Sequence, residues 1–199
     1  MERFSTSAPV PKKSLSLTSL EESAVRPVRR VLVLVLAVVA LAFGTALPAS
    51  AVGDDYPWRT DSTWSADRYG FTKRQCVSFA AWRLAQRGTV INNRTQGWGN
   101  AHYWDDAAYR MRQGRGFKPA VGAVAHWNAY ESSPYYSAGS SVPNGRMRSG
   151  SLGHVAYVQR VYADGSVLIS HYNGSGTRTY STARVKAPRY LYIGMATPR

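Results

Sequence analysis

Residues 154–172 read HVAYVQRVYADGSVLISHY, and this stretch decides the fold. Two apolar, β-prone runs, His154–Tyr162 and Ser166–Tyr172, meet at Asp164-Gly165. Asp-Gly between two such runs is a strong hairpin signal, because both residues tolerate the positive φ that a tight antiparallel turn requires. Side chains alternate between faces along a strand, so the second strand, read on past Tyr172, is expected to show His171 and Asn173 on one face. Downstream, Thr177–Thr182 and Tyr190–Met195 supply two further strands. Upstream, Pro119–Trp127 (PAVGAVAHW) is short, apolar and β-prone. Glu131–Leu152 is rich in Ser, Gly, Pro and Asn and reads as a long surface loop.

Further upstream the period changes. In Cys76–Gly88 the apolar residues Val77, Ala80, Ala81 and Leu84 recur at helical spacing, and Gly88 stands where a C-cap glycine belongs. Asn100–Gln113 reads as a second helix, capped by Asn100 and stopped by Gly114. Asp105 and Asp106 lie near its start, Arg110 and Arg112 near its end, as the helix dipole prefers. Helices first and antiparallel strands after predict an α+β domain, with N-terminal helices packed on an antiparallel β-sheet. The polar segment before them, residues 52–63, is expected to be a loosely held lead-in. Residues 64–199 then form one catalytic domain, and the chain beyond Ala51 is long enough to bury one core unaided.

The first 51 residues differ in character. Residues 1–30 are polar and end in the basic run Arg26-Pro-Val-Arg-Arg30. Val31–Leu47 carries no charge, and Ala49-Ser-Ala51 follows. Basic flank, apolar stretch and small-residue exit describe a secretory signal peptide; a single membrane anchor is the alternative. Either reading places the remainder outside the cytoplasm, with membrane contact only through an uncleaved signal segment.

The chain carries a formal net charge of +14. Six of the 25 Lys/Arg and three of the 11 Asp/Glu lie in the first 51 residues, which leaves +11 for the exported part. Such a field favours polyanions. Secretion points to anionic wall polymers rather than nucleic acid, for which no recognition motif is present.

Cys76 is the only cysteine. An unpaired thiol in an exported protein is a liability unless it is used, although a buried inert thiol and an intermolecular bridge are the bland readings. At a helix N-terminus the dipole and free N–H groups stabilise a thiolate, and Lys73 and Arg74 add positive charge upstream, so a lowered pKa is expected. The same N–H groups can face an oxyanion, with Gln75 or Tyr69 as further support. A nucleophilic cysteine needs an imidazole base and a group that orients it. His102 reads as a surface or groove residue, and His126 as a packed or edge histidine. His154 stands at a strand's edge after Gly153, whose lack of a side chain leaves room for a substrate backbone. Asn173 or His171 is then the orienting group. Trp98, Trp104 and Trp127 read as core rather than as a glycan groove, and Arg146 and Arg148 as solvated loop residues.

The block Arg74-Gln-Cys-Val-Ser-Phe-Ala-Ala-Trp82 resembles the nucleophile helix of the CHAP domain, the cysteine- and histidine-dependent amidohydrolase/peptidase family, in a secreted actinobacterial-type form. Gly153-His-Val-Ala-Tyr-Val158 resembles its histidine strand, Val121-Gly-Ala-Val-Ala125 the strand before it, and Val167–Gly174 its third-residue strand. The resemblance implies a papain-like α+β fold and hydrolysis of an amide or peptide bond in peptidoglycan, with no cofactor; some relatives carry a calcium loop of acidic residues before the cysteine, but this chain offers only Asp67 there, so no metal is expected. It implies Cys76 as nucleophile and His154 as base. Many members read acid-x-Asn where this chain reads His171-Tyr-Asn173, which makes Asn173 the expected orienter and His171 the alternative. A secreted wall-associated binding protein of the same fold is the competing expectation, and a toxin attacking a different amide is a third. A monomer is expected.

Overall fold

The computed structural model describes residues 53–199, so the signal-peptide reading of residues 1–51 lies outside the described residues. Helix α1 runs Cys76–Gln86, a short α2 Asn93–Gln96, and α3 Trp104–Arg110 directly after a 3₁₀ turn, Ala101–Tyr103. Eight strands complete the chain: β1 Gly114–Gly116, β2 Val124–Trp127, β3 Ser132–Tyr136, β4 Gly145–Arg148, β5 His154–Val161, β6 Val167–Tyr172, β7 Tyr180–Val185 and β8 Arg189–Tyr192. They form one sheet in the order β1-β8-β2-β5-β6-β7-β3-β4, with every pairing antiparallel. This is an α+β domain. No helix among the described residues is long and apolar enough to cross a membrane.

The hairpin that opens the sequence argument is β5–β6. Gly165 has φ 77°, and Asp164 Oδ1 accepts the Ser166 N–H at 3.0 Å, so Asp-Gly closes the turn as its chemistry dictates. Helix α1 ends as its sequence predicts, on Gly88 at φ 87° with its N–H on the Ala85 carbonyl at 3.0 Å. Strand alternation sorts the apolar residues into two clusters. Val124, Val155, Tyr172 and Leu191 join the aromatic cluster that α1 shares. Ala125, Ala156, Ile169 and Tyr190 belong to a second cluster with Trp127.

Three expectations are corrected. The lead-in is not loosely held: Tyr56 is fully buried, with ring centroids 4.7 Å from Tyr172, 5.6 Å from Trp82 and 5.8 Å from Phe79. Asp55 pairs with Arg83 at 2.6 Å, and the Tyr172 hydroxyl donates to Asp54 at 2.7 Å. This clamp covers α1 from outside and explains why Val77–Leu84 are buried without a break, where an ordinary surface helix shows a stripe. The supposed loop at 131–152 contains the β3–β4 hairpin, which sits at the sheet margin where Pro134 and a run of serines are tolerated. The second helix is shorter than its caps suggest, because Asn100 makes no side-chain cap and the first turn is 3₁₀.

Candidate active site

A cleft of about 930 Å³ is lined by Gln75, Cys76, Gly153, His154 and Asn173 among others, so the start of α1, the start of β5 and the end of β6 converge on one space. Cys76 is half-buried at the first residue of α1. Burial pushes its thiol above the ordinary cysteine range, while the backbone N–H groups of Val155, Val77 and Cys76 itself oppose that shift. The expected lowering does not occur. Lys73 is paired with Asp61 at 2.7 Å, and Arg74 Nε donates to the Arg178 carbonyl at 3.1 Å.

His154 begins β5 opposite Trp127 of β2, with ring centroids 5.8 Å apart. Its Nε2 lies 2.7 Å from His171 Nδ1, and His171 Nε2 lies 3.0 Å from the Ser181 hydroxyl on β7. Burial, then His171, then His126 hold His154 well below the ordinary histidine pKa, and burial lowers His171 to about 4. Both rings are therefore neutral near pH 7, and each carries one N–H. If His154 Nδ1 is to be an unprotonated base, its proton sits on Nε2 and donates to His171 Nδ1. His171 then carries its own proton on Nε2, where Ser181 Oγ accepts it. Ser181 Oγ, which can donate as well as accept, accommodates this pair of tautomers as one of two.

Asn173 is not on His154, which corrects its expected place. Strand β6 ends at Tyr172, and Asn173 adopts φ 58°, so the period-two alternation stops one residue short of it. Its Oδ1 accepts the Arg178 backbone N–H at 2.9 Å, and its Nδ2 donates to Gln75 Oε1 at 2.7 Å. A backbone N–H can only donate, so this chain orients both amides and leaves the Gln75 NH₂ directed elsewhere than Asn173. Tyr69 does not line the cleft. It is buried, its ring packed 6.0 Å from Trp58, with its pKa raised by burial.

The model of the CHAP domain family matches residues 64–173. The chain belongs to the CHAP domain family. It is 32% identical over 115 residues to an N-acetylmuramoyl-L-alanine amidase, sle1, of Staphylococcus epidermidis, which covers 56% of this chain and 28% of that protein. It is 33% identical over 103 residues to a probable autolysin, SsaALP, of Staphylococcus aureus, covering 52% and 30%. The chain spans under a third of the length of these curated relatives. A crystal structure of an N-acetylmuramoyl-L-alanine amidase from Staphylococcus aureus aligns with a TM-score of 0.49 at 25% identity, covering 70% of this chain and 37% of that one.

Several features of this CHAP domain have no sequence signal. A side chain at Gly153 would stand 2.6 Å from the His102 backbone nitrogen and 2.7 Å from the Trp127 carbonyl. The glycine is needed by the protein's own backbone, and its φ of 73° adds a second reason. A side chain at Gly174 would collide with the His171 ring, so that glycine makes room for the histidine pair. Ser181 and Arg178 become visible only through the β6–β7 register, His171 opposite Ser181, and the loop between those strands. His126 is fully buried and its Nε2 donates to the Ala101 carbonyl at 2.9 Å, while burial lowers its pKa to about 4. His102 stacks on Tyr103 at 3.9 Å between ring centroids. Trp98, Trp104 and Trp127 are buried in the core, whereas Trp64 and Tyr103 are the exposed aromatic residues of the cleft wall. No group of three or more His, Cys, Asp or Glu side chains that could hold a metal occurs among the described residues. Asp67, just upstream, is buried, and its carboxylate accepts the Tyr69 N–H at 2.8 Å, the Phe71 N–H at 3.0 Å and the Ser78 hydroxyl.

Proposed function

We propose that the protein is a peptidoglycan hydrolase of the papain-like type, exported through residues 1–51, that cleaves an amide or peptide bond of the bacterial wall with Cys76 as nucleophile. One observation carries this reading: Cys76 and His154 line the same cleft, and His154 is tied through His171 to Ser181. Membership of the CHAP domain family and similarity to proteins named as amidases and autolysins support it.

In this mechanism His154 Nδ1 takes the Cys76 proton as Sγ attacks the scissile carbonyl carbon. A C–S bond forms and the carbonyl π pair moves to oxygen. The Cys76 backbone N–H and the Gln75 NH₂ oriented by Asn173 are the donors for that oxyanion. The tetrahedral centre collapses, the C–N bond breaks, and His154 returns its proton to the leaving amine. Water, deprotonated by His154, then attacks the thioester carbon, and the thiol leaves with that proton. His171 is the orienting group. Its neutral Nδ1 accepts from the His154 imidazolium formed in each half-reaction, where a carboxylate would add a full charge. The site therefore starts as a neutral Cys–His pair, consistent with a thiol raised and an imidazole lowered by burial.

The neutral third residue also favours a second reading, a wall-binding protein with weak or no turnover. A peptidoglycan zymogram of residues 52–199 beside Cys76→Ala separates the two. Clearing by the parent alone is expected. Clearing by both ends the cysteine mechanism, and clearing by neither on any wall type, with no alkylation of the thiol at neutral pH, favours the binding reading. Mass spectrometry of the released fragments identifies the bond.

A further inference from the structure

The cleft is unusual in its charge. Its lining includes no Asp, Glu or Lys, and its permanently charged side chains are Arg148 and Arg178. Elsewhere every described carboxylate but that of the exposed Asp106 is engaged. Asp55, Asp61, Asp105, Asp164 and Glu131 pair with Arg83, Lys73, Arg115, Arg184 and Arg189. Asp54 takes the Tyr172 hydroxyl and Asp67 the loop before α1. Neither cleft arginine has a carboxylate partner among the described residues. Arg148 is exposed, its guanidinium 5.8 Å from the centre of the Tyr130 ring.

Arg178 is held far more firmly. It adopts φ 57°, its N–H is on Asn173 Oδ1 at 2.9 Å, and its carbonyl accepts from Arg74 Nε at 3.1 Å. Its Nη1 donates to Thr63 Oγ1 at 2.5 Å, and its guanidinium lies 4.9 Å from the Trp64 ring centre. A non-glycine residue in the left-handed region, fixed at both its peptide groups and at its head, is an oriented cation rather than a solvated one. The hydroxyl and the ring leave the other guanidinium donors without a protein acceptor, and a planar guanidinium fork suits a carboxylate. Two hydrogen bonds, Arg178 to Asn173 and Asn173 to Gln75, connect this cation to the residue beside the nucleophile.

We propose that the cleft selects its substrate by a free carboxylate close to the scissile amide, and that Arg178 binds that carboxylate. The inference rests on the hydrolase reading for the identity of the chain it binds, a wall peptide whose acidic side branch is a carboxylate rather than a carboxamide. The test is a binding experiment on residues 52–199 carrying Cys76→Ala, so that turnover does not intrude. Calorimetric titration with the γ-methylamide of N-acetylmuramoyl-L-alanyl-D-glutamate, whose α-carboxylate is its only free carboxylate, and with the corresponding α-carboxamide is expected to show the acid bound on the order of tenfold more tightly. Adding Arg178→Gln is expected to erase that difference. Adding Arg146→Gln, which removes an equal charge from outside the cleft lining, is expected to preserve it. Equal affinity for the two ligands in the parent, no binding of the acid, or a preference that survives Arg178→Gln overturns the proposal. The parent comparison requires no change at Arg178, so a variant that fails to fold does not protect the idea. Wall clearing with equal affinities sinks this inference alone; a carboxylate preference without clearing sinks the hydrolase reading alone.

Discussion

Cys76 and His154 face one cleft, but they reach it by different kinds of structure. Three non-glycine residues with positive φ gather on the cysteine side: Arg74 at 59°, Asn173 at 58° and Arg178 at 57°. They are joined by side-chain hydrogen bonds to one another and to Gln75. The histidine side has none of this. His126, His154 and His171 sit on β2, β5 and β6, three consecutive strands of the sheet; pairing sets His154 opposite Trp127 and within 2.7 Å of His171, and His126 opposite Val155. Cys76 is thus flanked by left-handed loop residues hydrogen-bonded to one another, and His154 is placed by strand pairing and burial. The contrast teaches that the two halves respond to different insults: the histidine side to protons, the cysteine side to the loss of single side-chain amides.

The largest expected effect breaks the histidine side with acid. His126, His154 and His171 are buried and neutral, with pKa values held below the 6.5 of the unfolded chain. Between that value and the folded values the unfolded chain binds more protons, so stability is full above about pH 6.5 and is lost as pH falls toward the folded pKa of about 4 for His126 and His171. The loss is on the order of 3 kcal/mol for each of those two. Urea unfolding at a series of pH values checks this, and a flat stability between pH 6.5 and 4.5 would refute it.

A smaller effect separates the orienting group from the loop bracket. His171→Ala is expected to lower kcat by roughly a hundredfold, because His154 loses its acceptor. Asn173→Ala is expected to cost less activity but about 1–3 kcal/mol of stability, since it removes two hydrogen bonds and leaves a Cβ-bearing residue at φ 58° without its partners. Asn173→Gly, which relieves the backbone, is expected to recover part of that stability. Equal kinetic losses at the two positions would erase the distinction between the sides. The smallest effect is at the end of the chain of rings. Ser181→Ala is expected to lower kcat several-fold and shift the acid limb of the pH–rate profile with KM unchanged, and Ser181→Thr to restore both. A loss of melting temperature without a change in the profile would make Ser181 merely structural.

Much of this was legible in the chain. The β5–β6 hairpin and helix α1 follow from turn chemistry and hydrophobic period, which are local properties. The clamp of residues 54–58 on α1 was not, because Asp54 and Asp55 look like solvated charges until Tyr172 and Arg83, more than twenty residues away, turn up beside them. The β3–β4 hairpin was hidden by its loop-like composition.

The sequence by itself determined helix α1 and the β5–β6 hairpin and singled out Cys76 and His154 as candidates, since a helical spacing of apolar residues, an Asp-Gly turn, a Gly-His pair and a lone cysteine at a helix start need no distant partner to be read. Only the tertiary structure decided the rest of the site. It ended β6 one residue before Asn173, gave His154 to His171 and Ser181, raised rather than lowered the Cys76 thiol, and left Arg178 in the cleft without an acid. Each of these depends on which residues meet across strands and loops and on how deeply they are buried, and neither is written in any local stretch of sequence.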